Sequence, residues 1–439
     1  MTRCFAPLLF AVLALVSGEA AAAQVKALSA VPGAQVWFSE DHTLPMIALS
    51  ASFPAGAAYD PPGKGGLASL AAGLFDEGAG NLQADAFQAA LAARGIRLDV
   101  EADRDFTTVT LMTLSQDAKE AFRLLGLALN RPRFDGEAVA RVREQMIQDI
   151  ALGNEDPAVV AERGFYSLYF GPYTYGRSVG GDRRGLEAVT PQDLHNFAVT
   201  HWVRGGLKIA VAGDVNAETV TALLHAAFGG LPANTPPLPS VPPRVGATGM
   251  HVLKMDVPQP TIFFGLPGLR RDHPDFMAAM IANYILGGGG SSRLSIDVRE
   301  TRGLTYDIST DLVPYRRAGL LVGAVATRAD AVRRTIATVR DTMQRFAAEG
   351  PTDRELADAK LYLNGSFPLS FASDADIAAQ LNAFQQMGLS LDYLDKRADL
   401  INKVTLADVR RIARRLFDPA EMTIVVAGSL PPSKAEAGD

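Results

Sequence analysis

Two kinds of hydrophobic spacing alternate along the chain. Residues 96–100 and 106–114 place apolar side chains at alternate positions, which predicts a β-hairpin, and residues 320–326 predict a further strand. A helical stripe with 4-3-4-3 spacing then runs up to Gly350 and consists of Val332, Ile336, Val339, Met343 and Phe346. Strands followed by helices predict an α+β fold, with helices packed on mostly antiparallel sheets.

The chain contains a long internal repeat. Residues 189–215 align without a gap with residues 404–430, at an offset of 215 positions. Each copy begins with Val-Thr and has Asp three positions after the Thr, which resembles a helix capping box. Each continues into an apolar strand that ends in Val-Ala-Gly. A repeat of this spacing indicates two similar domains rather than a solenoid of small units.

A proline-rich stretch separates the two copies. Within residues 231–245, proline occupies positions 232, 236, 237, 239, 242 and 243. Because such a density excludes helix and sheet interior, we expect a semi-rigid linker at 231–246. The predicted domains are therefore an N-terminal domain at 24–230 and a C-terminal domain at 247–439.

The first residues have the pattern of an export signal. Arg3 precedes an apolar stretch at residues 5–16, and small residues before Gln24 suit cleavage near Ala23. We expect residues 1–23 to be removed and the mature protein to be periplasmic; a buried N-terminal helix is the alternative. No later apolar stretch reaches the roughly 18 residues needed to span a bilayer, so we expect no membrane span.

Composition and charge argue against several classes of function. The formal net charge is −6 and no basic run is present, which disfavours a nucleic-acid-binding protein. The single cysteine, Cys4, lies in the predicted signal, so the mature chain has no thiol for a disulfide, a zinc–thiolate site or a nucleophile. The sequence also offers no convincing histidine-based triad, which disfavours an independent serine hydrolase.

Three segments carry a resemblance to a known family. Residues 66–78 (GLASLAAGLFDEG), residues 175–215 (beginning YGRSVGG and ending VAGDV) and residues 287–306 (GGGGSSRLSIDVRETRGLTY) resemble M16 (pitrilysin/insulinase) peptidases, in the order expected for that family. The resemblance covers nearly the whole mature chain. It implies the LuxS/MPP-like metallohydrolase fold, with two similar lobes of mostly antiparallel sheet and packed helices.

The chain departs from the zinc motif of that family. M16 peptidases carry His-x-x-Glu-His on a helix, where two His four positions apart grip zinc, the Glu acts as the base, and a distal Glu completes the ligand set. Here Ser69 and Gly73 replace the two His and Ala72 replaces the base. The distal ligand position falls on Asp149, and Val142 replaces an acidic residue seven positions earlier. We expect no metal site in this chain, and its six scattered histidines offer no substitute.

The resemblance also identifies a pair that the chain retains. In M16 peptidases an Arg and a Tyr seven positions apart belong to the half without zinc and face the scissile bond; here they are Arg299 and Tyr306, with Gly303 expected to end the intervening helix. Both side chains donate hydrogen bonds, so the expected catalytic role is to hold the oxyanion and the peptide. Spacing alone fits a structural role equally well, since Arg near a helix C-terminus is favourable.

A glycine run precedes this pair and resembles the family's mobile substrate-contacting loop. No Gly-Lys-Ser/Thr follows the run, which disfavours nucleotide binding. We expect Arg293, just after the run, to have a local structural role. The predicted substrate-binding residues are Gly287, Gly288, Gly289 and Gly290.

These features predict a zinc-free subunit of a heterodimeric peptidase. A zinc-bearing M16 paralogue with His-x-x-Glu-His would form the heterodimer and hydrolyse peptides in a closed chamber, with zinc as the partner's cofactor and none in this chain. Alone, the chain is expected to be inactive. The alternative is a non-catalytic peptide-binding or scaffold protein of the same fold.

Overall fold

The computed structural model describes residues 25–236, 239 and 248–430. The predicted signal at 1–23 lies outside these residues, as does most of the predicted linker at 231–246. The described strands are β1 (Val25–Leu28), β2 (Gln35–Glu40), β3 (Met46–Phe53), β4 (Gly78–Ala79), β5 (Leu82–Gln83), β6 (Arg97–Ala102), β7 (Thr107–Leu114), β8 (Lys208–Gly213), β9 (Gly249–Leu253), β10 (Thr261–Pro267), β11 (Ile308–Pro314), β12 (Gly319–Ala326) and β13 (Thr423–Ala427).

Helices connect and cover these strands. The described α-helices are α1 (Leu67–Gly73), α2 (Ala84–Ala92), α3 (Ala118–Asn130), α4 (Gly136–Gly153), α5 (Pro157–Phe170), α6 (Arg183–Ala188), α7 (Pro191–His201), α8 (Ala217–Phe228), α9 (Phe276–Asn283), α10 (Val332–Glu349), α11 (Asp353–Gly365), α12 (Asp374–Gln386), α13 (Tyr393–Lys403) and α14 (Leu406–Leu416). Two π-helical segments follow α9, at Tyr284–Gly288 and Ser295–Thr301.

Two large sheets organise the fold. The first has the order β1-β2-β8-β3-β7-β6 and the second has the order β11-β12-β10-β13-β9. The pairs β2–β8 and β9–β13 are parallel, and the other pairs in these sheets are antiparallel. Apart from β1, the two sheets have the same strand order, so the mostly antiparallel α+β fold is confirmed. The predicted hairpin is the pair β6–β7, and the predicted strand at 320–326 is β12.

The sequence repeat corresponds to a structural repeat. Helices α7 and α14 begin 215 positions apart, as do strands β8 and β13. Thr190 and Thr405 each form a complete capping box with the Asp three residues later. The predicted helical stripe from Val332 to Phe346 lies on α10, and its five apolar side chains are buried against the second sheet and its covering helices.

Each sheet is covered on one face by a helix from the opposite half of the chain. Helix α5 packs on β10 and β13 of the second sheet, and α12 packs on β3 and β8 of the first. Phe165 of α5 lies so close to Gly265 of β10 that a Cβ at Gly265 would approach its ring to 2.5 Å. Leu381 of α12 packs with Ala48 and Ala210 of the first sheet. This exchange joins the two halves through buried apolar contacts.

Candidate functional site

Helix α1 occupies the position of the family's metal-binding helix. It begins after Gly66, which has φ +92°, a left-handed conformation that glycine adopts without strain. The buried Asp60 carboxylate accepts hydrogen bonds from the backbone N–H of Gly66 at 2.7 Å and of Ala68 at 2.8 Å. Burial raises the pKa of Asp60 to about 7, and these two hydrogen bonds oppose that shift. The helix is therefore fixed at its start by one carboxyl group.

Ser69 and Gly73, which replace the two zinc-binding histidines of the family, have surroundings of a different kind. Ser69 Oγ donates to the Val179 carbonyl at 2.8 Å, which uses its only hydroxyl hydrogen. A Cβ added at Gly73 would lie 3.2 Å from Val142 Cγ1 on α4. Asp149 accepts a hydrogen bond from Gln145 one turn away on the same helix, at 2.9 Å. An aliphatic side chain thus lies where a side chain at position 73 would point.

The remaining donor atoms do not fit zinc. Gly73 and Ala72 provide no ligand atom, and one hydroxyl with one carboxylate falls short of the three protein ligands that catalytic zinc sites use. Within residues 25–236, 239 and 248–430, no group of three or more His, Cys, Asp or Glu side chains is arranged to hold a metal ion. The residues at positions 69, 72, 73 and 149 therefore do not fit a catalytic zinc ion.

Arg299 and Tyr306 lie on either side of a helix end. Arg299 belongs to the π-helical segment Ser295–Thr301, and Gly303, at φ +56°, donates its N–H to the Arg299 carbonyl at 3.1 Å. Gly303 therefore ends the helix as predicted. Tyr306 lies two residues before β11, in a turn in which the Thr305 hydroxyl donates to the Asp307 carbonyl. The Tyr306 side chain is 92% exposed.

Arg299 also contacts the glycine run. Its Nη2 donates to the Gly290 carbonyl at 3.2 Å and to Glu300 Oε1 at 2.9 Å. The structure thus brings one predicted catalytic residue against one end of the predicted substrate-binding loop. The catalytic roles of Arg299 and Tyr306 remain predictions.

The four glycines differ in their surroundings. Gly287 is buried, and an added Cβ would lie 2.4 Å from Thr310 Oγ1. At Gly289 an added Cβ would lie 3.1 Å from the Tyr284 ring, whereas at Gly290 it would meet no atom within 4 Å. Gly287 is thus required by packing, and the exposed Gly288 and Gly290 are the members available to a ligand. The expected structural role of Arg293 is supported by its ion pair with Glu355 at 2.7 Å.

A groove beside α1 was not predicted. It has a volume of about 990 Å³ and lies between α4, α5, α6 and the loops that precede α1 and α6. Its walls are rich in glycine and arginine, including Gly65, Gly181, Arg163, Arg177 and Arg184. The glycine- and arginine-rich sequence GRSVGGDRRG at 176–185 indicates part of the groove lining, but the sequence does not show which other elements form its walls.

Comparison with protein families assigns both halves of the chain. The family described as Insulinase (Peptidase family M16) matches residues 35–183, and the Peptidase M16 inactive domain matches residues 188–363. The adjoining matches together cover more than half of the chain. The chain belongs to the M16 peptidase family. Within M16 it is an inactive member, since its own residues provide neither the metal ligands nor the base.

Individual relatives match most of the chain. The non-peptidase homolog YmxG of Helicobacter pylori is 24% identical over 398 residues, covering 90% of this chain and 91% of that protein. A Streptomyces coelicolor protein named as an uncharacterized zinc protease is 27% identical over 366 residues, covering 82% and 80%. The crystal structure of a peptidase M16 inactive domain from Pseudomonas fluorescens superposes with a TM-score of 0.87 at 28% identity, covering 94% of this chain and 99% of that one. The predicted M16 fold is confirmed.

Helix length and apolar character determine whether a helix can cross a membrane. In the described part of the chain, none of them combines the length and the apolar character that crossing a bilayer demands.

Proposed function

We propose that this chain is the zinc-free subunit of a heterodimeric M16 peptidase. A partner of the same family would carry His-x-x-Glu-His, and its zinc would activate the attacking water. Arg299 and Tyr306 of this chain would complete the reaction centre by donating hydrogen bonds to the oxyanion and the peptide backbone. The substrates would be unfolded peptides that fit into the chamber between the two chains.

The exposure of Tyr306 is the observation that carries this proposal. A tyrosine side chain usually buries much of its ring and gives its hydroxyl a partner, yet Tyr306 is 92% exposed. No hydrogen bond involving its hydroxyl occurs among the described residues. A structural role would require packing, so the exposed phenol supports a role in binding a second molecule.

The contacts of Arg299 support the same role. Guanidinium has five N–H donors, and the two contacts to Gly290 and Glu300 both use Nη2. The side chain is 36% exposed, so the other donors are available to a ligand beside the glycine run. The geometry leaves Arg299 held in place and still able to donate.

Export of the chain is part of this proposal. Residues 1–23 have the charged start, the apolar stretch and the small residues of a cleaved signal. We propose that the mature protein begins near Gln24 and is periplasmic. The N-terminal sequence of the protein purified from its native organism tests this, and a chain that still begins at Met1 contradicts it.

Purification of the chain with its natural partner tests the heterodimer. We expect affinity purification from the native organism to recover an M16 protein with His-x-x-Glu-His in a one-to-one ratio, together with one zinc per heterodimer. Mass spectrometry and metal analysis measure both. Recovery of a homodimer without zinc contradicts the proposal.

The second candidate function is a non-catalytic peptide-binding or scaffold protein. It is favoured by the 24% identity to a Helicobacter pylori protein named as a non-peptidase homolog over 90% of this chain. The position of Val142 is equally consistent with it, because a side chain at Gly73 would meet Val142 Cγ1 at 3.2 Å where the family carries a zinc ligand. A homodimer that binds peptide and never associates with a zinc paralogue supports this candidate.

A further inference from the structure

A cleft at the boundary of the two halves has no assigned role. Its volume is about 590 Å³, within the about 300 to 1,000 Å³ of most ligand sites. It is walled by the β6–β7 turn and the start of β8 from the first half, and by the β11–β12 turn and the end of α12 from the second. Neither Arg299 nor Tyr306 lines it.

Positive charge dominates the cleft although the whole chain is negative. Three carboxyl groups line it, Asp103, Asp105 and Asp272, against five cationic side chains, which gives a net charge of +2. The formal net charge of the whole chain is −6. The five cations are Arg104, Lys208, Arg270, Arg271 and Arg316.

Most of these cations form no ion pair with the carboxyl groups in the described residues, although the charges of Arg316 and Arg104 act on the Asp105 carboxyl and oppose the rise of its pKa on burial. Asp105 accepts from the Tyr175 hydroxyl and from the Arg316 backbone N–H, the latter at 2.9 Å. Asp103 accepts the backbone N–H of Asp105 at 2.6 Å and of Phe106 at 2.7 Å, and so holds its own turn. Of the five cations, only Arg270 forms an ion pair within the described residues, with Asp272.

Lys208 and Arg316 are like charges that line the cleft from opposite halves of the chain. Lys208 Nζ donates to the neutral Gln35 Oε1 at 2.9 Å, and Arg316 Nη1 donates to the Tyr59 hydroxyl at 3.3 Å. Burial lowers the pKa of Lys208, and the nearby Arg316 charge lowers this pKa further. Two partly buried cations whose side chains donate to neutral groups form a favourable site for an anion, since a low-dielectric cleft strengthens the attraction.

We propose that this cleft binds the C-terminal carboxylate of a short peptide, with Lys208 and Arg316 as its main cationic contacts. Guanidinium and ammonium groups recognise carboxylate through charge-assisted hydrogen bonds. Phe106, Pro314 and Met387 supply apolar walls for the adjoining side chains, a feature that inorganic phosphate would not use. A ligand that contacts both halves would also offset the repulsion between Lys208 and Arg316.

Calorimetric titration of the purified chain with two probes tests this inference. The probes are N-acetyl-tetra-alanine as the free acid and as the C-terminal amide, at neutral pH and low salt. We expect the free acid to bind at least about tenfold more tightly than the amide, because only the acid supplies the charged acceptor. Binding of the free acid should weaken as salt is added.

Matched variants locate the binding site. Lys208→Gln and Arg316→Gln should each weaken binding of the free acid about tenfold, whereas Lys119→Gln, on the exposed face of α3, should leave it unchanged. Circular dichroism and the thermal midpoint establish that each variant is folded, and the two variants come from opposite halves of the chain.

Three results would overturn the inference: equal binding of acid and amide, unchanged binding by both folded cleft variants, or binding of inorganic phosphate without either peptide. The inference rests on the proposed function only in taking a peptide as ligand. Its test needs neither partner nor turnover, so its failure and the failure of the heterodimer proposal are distinguishable.

Discussion

Arg299 and Gly290 are joined by a hydrogen bond of 3.2 Å from the guanidinium Nη2 to the glycine carbonyl. The bond connects a helix end to the exposed end of a glycine run nine residues earlier in the chain. It keeps the guanidinium beside a backbone segment that has space around it, since a Cβ at Gly290 would meet no atom within 4 Å. The open space at Gly290 and the positive charge of Arg299 beside it suit a peptide that passes over the glycine run.

Replacement of Arg299 by Lys separates charge from geometry. Lys keeps the charge but loses the fork of N–H donors, so we expect Arg299→Lys to lower kcat/KM of the complex with its zinc partner about tenfold or more. The thermal midpoint should change little, because the substituted side chain is partly exposed. Arg354→Lys, at a position 91% exposed on α11, is the matched control and should change neither quantity. A fall in the thermal midpoint large enough to account for the fall in kcat/KM would contradict the assigned role.

Alanine substitutions at the two ends of the glycine run should have unequal effects on stability. At Gly287 the added methyl group would lie 2.4 Å from Thr310 Oγ1 and 3.0 Å from Leu294 Cδ1, so Gly287→Ala should lower the free energy of unfolding by about 1–3 kcal/mol. Gly290→Ala should leave it unchanged within about 0.5 kcal/mol. Urea unfolding of the two variants measures the difference, and equal destabilisation would show that the packing described around Gly287 is wrong.

The packing of α12 on the first sheet should depend on the buried side-chain amide of Gln385. Gln385 Nε2 donates to the Gln35 carbonyl at 3.0 Å and to the Ile209 carbonyl at 3.1 Å, and so ties α12 to the parallel pair β2–β8. Gln385→Ala leaves two acceptors without this donor and opens space, so we expect a loss of about 2–4 kcal/mol in the free energy of unfolding. Gln380→Ala on the same helix should cost less than about 0.5 kcal/mol, and similar costs at both positions would contradict the account.

Stability should fall as the pH rises towards neutrality, through Asp60. Burial raises its pKa from 3.8 to about 7, so the folded protein binds this proton more tightly than the unfolded chain does. The favourable contribution is fully present below about pH 4 and is lost as the pH passes about 7. A shift of this size corresponds to about 4 kcal/mol in the free energy of unfolding.

Two substitutions isolate this effect. Asp60→Asn cannot titrate, so its free energy of unfolding should vary less between pH 5 and pH 8 than that of the wild type. Asp85→Asn, on an exposed position of α2, should keep the wild-type slope. Denaturant unfolding across this pH range measures all three slopes, and an unchanged slope in Asp60→Asn would contradict the assignment.

Local sequence patterns predicted much of the fold because their causes are local. Thr190 and Thr405 cap their helices through residues three positions away, so the repeat predicted equivalent helices and strands at the correct offset. The apolar stripe from Val332 to Phe346 predicted the buried face of α10 in the same way. The family motif then identified α1, and the residues at Ser69, Ala72 and Gly73 predicted the loss of the metal ligands.

Contacts between distant residues could not be predicted in this way. The apolar faces of α5 and α12 indicate that both helices are buried, but periodicity does not tell which sheet Phe165 or Leu381 meets. The four consecutive glycines look alike in the sequence, and only the position of Thr310 separates Gly287 from Gly290. The cleft between Lys208 and Arg316 likewise joins residues from opposite halves of the chain.

Turnover of a quenched peptide by the zinc-bearing partner, titrated with this chain, tests the proposed split reaction centre most directly. Wild-type chain should raise chelator-sensitive turnover up to a one-to-one ratio. Tyr306→Phe should form the same complex with turnover lower by about 100-fold, and Tyr173→Phe, at another exposed position, should match the wild type. Full turnover with Tyr306→Phe, or stoichiometric zinc in this chain purified alone, would contradict the account.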